Sequence, residues 1–278
     1  MTTIPGAAAA VTGAASGIGR ALALELAARG CDLALADRDE AGLQAVAAEI
    51  GRAHARKVTV HRADVADPGQ IEDFAQAAVA GHPGLNILIN NAGVALLGQF
   101  GEIEQAQMDW LMNINFWGVV HSTRAFLPHL QRQREAHIVN LSSIFGIIAP
   151  PGQTAYAAAK FAVRGFSESL RHELQMAASP VRLSVVHPGG VATNIARNSR
   201  TGVGVTDNAR RAQTIERFDA VARTTPAAAA LRIIQGIEKN QPRILIGNDA
   251  RVMDLLQRLR PGTYWPLLAR LIEKMSKK

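Results

Sequence analysis

The chain has 278 residues, 48% of them hydrophobic and 19% charged, with a mean hydropathy of +0.05. This excludes a disordered tail and a bilayer-resident bundle, and leaves apolar material for one large domain or two small ones. The formal charge is +7, from 30 basic and 23 acidic residues. The basic residues are scattered, with mild clusters at 197–211 and 274–278 and no aromatic-interleaved stripe, so no nucleic-acid partner is expected. A single cysteine, Cys31, cannot form an intrachain disulfide, and no Cys/His set has zinc-ligand spacing. No metal site is expected, and the location expected is the cytoplasm. Residues 1–6 carry no basic leader, and no run reaches the ~18 apolar residues of a membrane span, so neither a signal peptide nor a span is expected.

Short apolar runs alternate with longer segments of helical period from end to end, the imprint of a parallel sheet with crossover helices. Strands are expected at 7–12, 32–36, 58–62, 87–89, 137–141, 181–187 and 243–246, and helices at 18–29, 41–50, 70–80, 105–131, 155–176 and 226–239. Right-handed crossovers place helices on both faces, giving a single α/β domain with a doubly wound, seven-stranded parallel sheet, a Rossmann fold. The one long loop, 189–225, is rich in Arg, Asn, Thr and Gly and is read as a lid. Beyond residue 248, the segments 249–259 and 264–275 form two short amphipathic helices split by Pro261-Gly262, with Leu255, Leu256, Leu259, Trp265, Leu268 and Ile272 among their apolar residues. The domain expected is therefore 1–248, with a helical extension at 249–278 packed on it.

The first strand runs into Thr12-Gly13-Ala14-Ala15-Ser16-Gly17-Ile18-Gly19 and then a helix. Glycines there permit a sharp turn and close approach of a pyrophosphate, whose charge the helix N–H groups satisfy; the alternative is a tight strand-to-helix connection. Asp37 ends the second strand, 24 residues after Gly13. Its carboxylate suits the adenosine ribose hydroxyls and repels a 2′-phosphate, which favours NAD, whereas the adjacent Arg38 leaves NADP open; the alternative for Asp37 is a solvated strand end. Tyr156 and Lys160, four residues apart, share a helix face, and Ser143 stands 13 residues upstream of Tyr156 at a strand end, where ligand crevices of parallel sheets lie.

With the glycine motif, Asp64-Val65, Asn90-Asn91-Ala92-Gly93, Asn115 of Asn-Phe-Trp-Gly, Ser143, Tyr156-x3-Lys160 and Pro188-Gly189 with Thr193 all in order, the chain resembles the short-chain dehydrogenase/reductase family over about residues 5–250. The resemblance implies hydride transfer between a nicotinamide cofactor and an alcohol or ketone. Tyr156 is then the general acid/base. A free phenol ionises near ~10, and Lys160, with the positive nicotinamide of the oxidised cofactor, lowers that value. Ser143 orients the reacting oxygen; Ser142 is the alternative serine, disfavoured by the interval to Tyr156. Asn115 either shapes its helix so that water links Lys160 to solvent or satisfies local backbone. The cofactor contacts implied are Gly13, Ser16, Gly17, Ile18, Gly19, Asp37, Arg38, Asp64, Val65, Asn91, Ala92, Gly93, Tyr156, Lys160, Pro188, Gly189, Val191 and Thr193. His187, with no paired carboxylate in sequence, reads as structural.

Apolar residues at 94–97 and 144–151, among them Val94, Leu96, Leu97, Phe145, Ile147 and Ile148, suggest a pocket for a hydrophobic secondary alcohol or ketone, because burial contributes ~25 cal/mol per Å² and an anion there is unpaired. The alternatives are an NADPH-dependent carbonyl reductase and a non-catalytic dinucleotide-binding regulator. The family resemblance implies a homodimer or homotetramer built on the helices at 105 and 155. The C-terminal helices are read as packing on the domain, in preference to peripheral membrane contact through Lys274, Lys277 and Lys278.

Overall fold

Leucine and alanine alternate along the second strand, Leu33-Ala34-Leu35-Ala36, with the two-residue period that sends neighbouring side chains to opposite faces. In a computed structural model describing residues 2–276, β1 (Ala8–Thr12), β2 (Asp32–Asp37), β3 (Val58–Arg62), β4 (Leu85–Asn90), β6 (Ala136–Leu141), β7 (Val181–Pro188) and β9 (Arg243–Ile246) form one sheet in the order β3-β2-β1-β4-β6-β7-β9. Every pairing is parallel. The seven-stranded, doubly wound sheet expected from the sequence is the one observed.

One face carries α1 (Gly17–Ala28), α2 (Glu40–Ala53) and α8 (Pro226–Glu238), where Leu22, Leu26, Leu43, Ile50 and Ile233 pack on Val11, Leu33 and Leu35. The other carries α3 (Pro68–Gly81), α5 (Gly118–Leu130) and α6 (Thr154–Met176), where Ile71, Phe74, Phe126 and Leu174 pack near Ala8, Ala10, Ala34 and Ala36. Each fully buried leucine or isoleucine contributes roughly 1.5–3 kcal/mol. Helix starts follow local chemistry: the Asp67 carboxylate accepts from Gly69 N and Gln70 N ahead of Pro68, and the Thr225 hydroxyl accepts from Ala228 N ahead of Pro226. The strand order reverses between β1 and β4, so the carboxyl ends of these strands open a crevice at the switch point.

Two expectations are corrected. The helix read over 105–131 is interrupted: α4 (Gln105–Met112) and α5 are joined by a π-helical stretch, Asn113–Trp117, which contains Asn115. A one-residue change of helical register leaves the apolar periodicity nearly intact, so the pattern hides it. The segment 189–225 is not one loop. It contains β8 (Arg200–Thr201), paired in parallel with β5 (Leu96–Leu97), and α7 (Asn208–Val221). Arg197 pairs with Asp219, Arg210 pairs with Glu102 at 2.5 Å, and Arg200 lies 4.0 Å over the Trp110 ring. The basic cluster at 197–211 thus spends its charge within the fold.

The C-terminal helices α9 (Asn248–Leu259) and α10 (Tyr264–Ser276) lie over the segment that follows β6. Ala250 and Leu268 pack with Ile144, Ile147 and Ile148, and the Tyr264 hydroxyl accepts from Ala149 N at 2.9 Å. The side chains of Ile272 and Lys274, and residues Lys277 and Lys278, lie outside the described residues. No helix among the described residues is long and apolar enough to cross a membrane.

Candidate active site

At the end of β1 the chain turns through Gly13 (φ +67°) and Gly17 (φ +54°), left-handed conformations that favour glycine. A Cβ on Gly13 would stand 2.7 Å from Ala92 Cα, so turn and post-β4 segment touch backbone to backbone. Thr12 Oγ1 accepts from Asn91 N at 3.1 Å and Ala92 N at 3.2 Å, while Asn91 Nδ2 donates to the Thr12 and Gly13 carbonyls at 3.0 Å each. Ser16 is extended at the N-cap of α1 and makes no side-chain cap, and no acidic residue occupies the first turn. The first N–H groups of α1, around Gly17, Ile18 and Gly19, are thereby left for an anion, and this cradle fits a dinucleotide pyrophosphate. Thr193 closes it from the far side, its methyl 3.4 Å from where a Gly17 Cβ would be.

Asp37 is part of the same turn. Its Oδ2 accepts from Ala15 N at 3.1 Å and its Oδ1 from Asp39 N at 3.1 Å. Beside it lies an open cleft lined by Arg38, Asp39, Arg62, Asp64 and Gln70. Arg62 is the register partner of Asp37 on β3 and went unmarked in the sequence, because pairing register is not legible from one strand. Asp64 accepts from Ala66 N at 2.9 Å, and Val65 is buried against Gly118.

Beyond the switch point, Asn115 is fully buried, with Oδ1 accepting from Val94 N at 2.8 Å and Nδ2 donating to Val94 O at 2.9 Å. Its amide is therefore engaged with local backbone. The same amide meets Lys160 at Gly93: a Cβ there would lie 3.3 Å from Asn115 Oδ1 and 3.5 Å from Lys160 Nζ.

The two serines after β6 face apart. Ser143 is extended, and its Oγ accepts from Phe145 N at 3.1 Å. Ser142 Oγ donates to the Lys160 carbonyl at 2.8 Å, and a Cβ on Gly146 would collide with it. Ser142 is thereby committed to α6 and Ser143 to the crevice. Tyr156 and Lys160 lie one turn apart on α6, with Nζ 5.7 Å from the phenol ring centroid and donating to Leu141 O at 3.0 Å. The Phe145 ring meets Tyr156 edge-on at 6.1 Å. Burial pushes the Tyr156 phenol up to about 12, opposed by the Ser143 hydroxyl, and burial brings the Lys160 ammonium down to about 8.

His187, at the end of β7, donates Nδ1–H to the Ser143 carbonyl at 2.9 Å; burial holds it down to about 4, hence neutral. It follows Ser143's backbone, a link invisible in sequence. Pro188, Gly189, Val191 and Thr193 continue from β7, with Gly190 N donating to Asp249 Oδ2 at 2.7 Å. A Gly189 side chain would strike that carboxylate, so the first turn of α9 fixes the loop. Asp249 was not marked, since nothing local in the sequence ties it to this loop.

The apolar lining needs correction. Leu96, Ile147 and Ile148 are each 1% exposed; Leu96 packs with Leu111 and Ala159, and the isoleucines lie under the C-terminal helices. Val94, Leu97 and Phe145 keep partial exposure. Of these only Leu97 reaches a cavity of about 140 Å³, whose wall also includes Gly152, Gln153, Thr201 and Arg210.

A doubly wound sheet with an anion-ready glycine turn opposite a helix face that carries a half-buried Tyr156 and a buried Lys160 defines a Rossmann-fold protein of the dehydrogenase kind. A family model described as short chain dehydrogenase matches residues 7–204, and the chain belongs to the short-chain dehydrogenase/reductase family. It is 42% identical over 275 residues to the Mycobacterium tuberculosis protein named as the oxidoreductase SadH, covering 99% of this chain and 98% of that one. It is 30% identical to the Bos taurus dehydrogenase/reductase SDR family member 7B, covering 96% and 82%. Among solved structures, a short-chain dehydrogenase/reductase from Burkholderia phymatum in complex with NAD superposes with a TM-score of 0.86 at 29% identity, covering 95% and 97%. The chain is an oxidoreductase of this family.

Proposed function

We propose that the protein moves a hydride between NAD and a hydrophobic secondary alcohol or ketone, with Tyr156 as general acid/base. The observation that carries this reading is the Tyr156/Lys160 pair on one face of α6, at the strand ends and across from the glycine turn. A nicotinamide, when bound, supplies or accepts the hydride. The turn at Gly13, Ser16, Gly17, Ile18 and Gly19 holds the phosphates, Asp37 and Arg38 flank the adenosine ribose, Asp64 and Val65 the adenine, and Asn91, Ala92 and Gly93 the stretch between. Pro188, Gly189, Val191 and Thr193 secure the nicotinamide end.

Tyr156, neutral at pH 7 with its value near 12, hands its hydroxyl proton to a carbonyl oxygen in reduction. In oxidation it takes the proton back from the alcohol. Lys160, charged below about 8, stabilises the phenolate left behind, and Ser143 donates to the reacting oxygen. Asn115, beside Lys160 at Gly93, keeps the π-helical backbone open for proton return through water.

The partly exposed Val94, Leu97 and Phe145 favour an apolar substrate. A second reading, an NADPH-dependent carbonyl reductase, is favoured by Arg38 and Arg62 at the cleft beside Asp37. The exposed Trp117 and Phe161, 45% and 40% accessible, support a homodimer or homotetramer through the outer faces of the π-helical stretch ahead of α5 and of α6. The unit proposed is 1–248 with 249–278 as its extension, working in the cytoplasm. The test is absorbance at 340 nm (the signal of the reduced nicotinamide ring) with NAD and NADP against alcohols and ketones. Faster turnover of aliphatic or aromatic secondary alcohols supports the reading; faster turnover of small polyols contradicts it.

A further inference from the structure

The outer face of the two C-terminal helices has an unusual division of charge. On α9, Arg251, Val252, Leu255, Arg258 and Leu259 are all exposed, at spacings that put them on a single helical face. Val252, Leu255 and Leu259 are 51%, 58% and 68% accessible, and Leu267 of α10 is 42% accessible. Arg260, at the C-cap of α9, and Arg270, on α10, are exposed as well. Both carboxylates of α9 are turned inward: Asp249 accepts from Gly190 N, and Asp254, 7% exposed, pairs with Arg243 and Arg258. Over residues 248–270, every exposed charge is therefore an arginine standing among exposed aliphatic side chains.

We propose that this face seats on an anionic lipid surface, with Val252, Leu255, Leu259 and Leu267 entering the headgroup boundary and Arg251, Arg258, Arg260 and Arg270 meeting lipid phosphates. Aliphatic residues rimmed by arginine match the chemistry of an interfacial helix, whose binding adds buried apolar area to attraction for anionic headgroups. A second copy of the chain is the poorer occupant, because a two-fold contact through residues 248–270 sets arginines against arginines with no exposed carboxylate in that range to answer them. The same helices cover Ile147 and Ile148, next to the segment that follows Ser143. Docking would hold the crevice close to a lipid layer in which apolar alcohols and ketones concentrate. The docking itself does not depend on the substrate reading and is measured without turnover.

The test is flotation of the full chain with phosphatidylcholine vesicles made with and without phosphatidylglycerol, beside sedimentation of the free protein. The protein is expected to float with the anionic vesicles and to stay behind with the neutral ones. Added salt and Arg251→Glu/Arg260→Glu should weaken flotation, and Leu255→Glu/Leu259→Glu should reduce it roughly tenfold or more, with circular dichroism and cofactor binding unchanged. If the leucine pair fails to fold, Leu259→Gln alone should still give a measurable loss. Flotation that is absent, equal on neutral vesicles, or indifferent to these substitutions overturns the proposal. So does a fall in the free protein's sedimenting mass in the leucine variant without wild-type flotation, which would assign the face to a second copy.

Discussion

Ser142 donates its hydroxyl to the backbone carbonyl of Lys160 at 2.8 Å, fastening the end of β6 to the turn of α6 that carries the buried ammonium. Adjacent strand residues point to opposite sides, so placing Ser143 in the crevice turns Ser142 toward the helix. Lys160 Nζ in turn donates to Leu141 O, one residue before Ser142. Strand and helix are thus tied twice within one turn.

Ser142→Ala should leave the Lys160 carbonyl buried without this partner and cost about 1–3 kcal/mol of stability. Its effect on kcat should be about tenfold or less, because the reacting oxygen is not touched. Ser143→Ala removes a donor to that oxygen and should lower kcat by roughly 10²–10³ with little change in stability. Denaturant midpoints measured beside kcat separate the two, and equal kcat losses would contradict the division of labour.

Acid should destabilise the fold through buried histidines. His137 bonds Thr2 and Ser184, with burial holding it down to about 3, and His187 lies at about 4. The unfolded chain takes up these protons near ~6.5 and the folded chain does not. Stability is therefore fully present above ~6.5 and is lost as pH falls, by about 1.4 kcal/mol per pH unit for each histidine. Urea unfolding between pH 6.5 and 5 should show this slope, and His137→Gln should reduce it by one proton. An unchanged slope would contradict the assignment.

Asp37 has two duties that one substitution can separate. Asparagine keeps an acceptor for Ala15 N and removes the charge that repels a 2′-phosphate. Asp37→Asn should shift kcat/KM toward NADP by about tenfold or more, worth ~1.4 kcal/mol. Arg62→Ala should reduce whatever NADP use remains. A wild type that prefers NADP would mean that Arg38 and Arg62 outweigh the carboxylate.

The sheet was legible because buried parallel strands are short apolar runs between helical periods, and all seven fell within a few residues of their expected positions. The glycine turn, Asp37, Ser143, Tyr156 and Lys160 stand out as candidates in the sequence because backbone geometry or ionisation restricts the residue types suited to the proposed chemistry. Features made by contact between distant segments do not. The Asp249 carboxylate reaches Gly190 across the fold, and His187 bonds Ser143's backbone. Ile147 and Ile148 have the apolar character of pocket wall in sequence, but α9 and α10 cover them. The break at Asn113–Trp117 escaped because a π turn shifts the helical phase by only one residue.

Proton transfer by Tyr156 is tested most directly by Tyr156→Phe, which keeps the ring against Phe145 and removes only the hydroxyl. Turnover at 340 nm and dinucleotide binding, followed by protein fluorescence quenching, should be measured on the same preparation. kcat/KM should be lower by at least about 10²-fold, with the dissociation constant for the dinucleotide within a few-fold of wild type. A variant that turns over at the wild-type rate would contradict proton transfer by Tyr156.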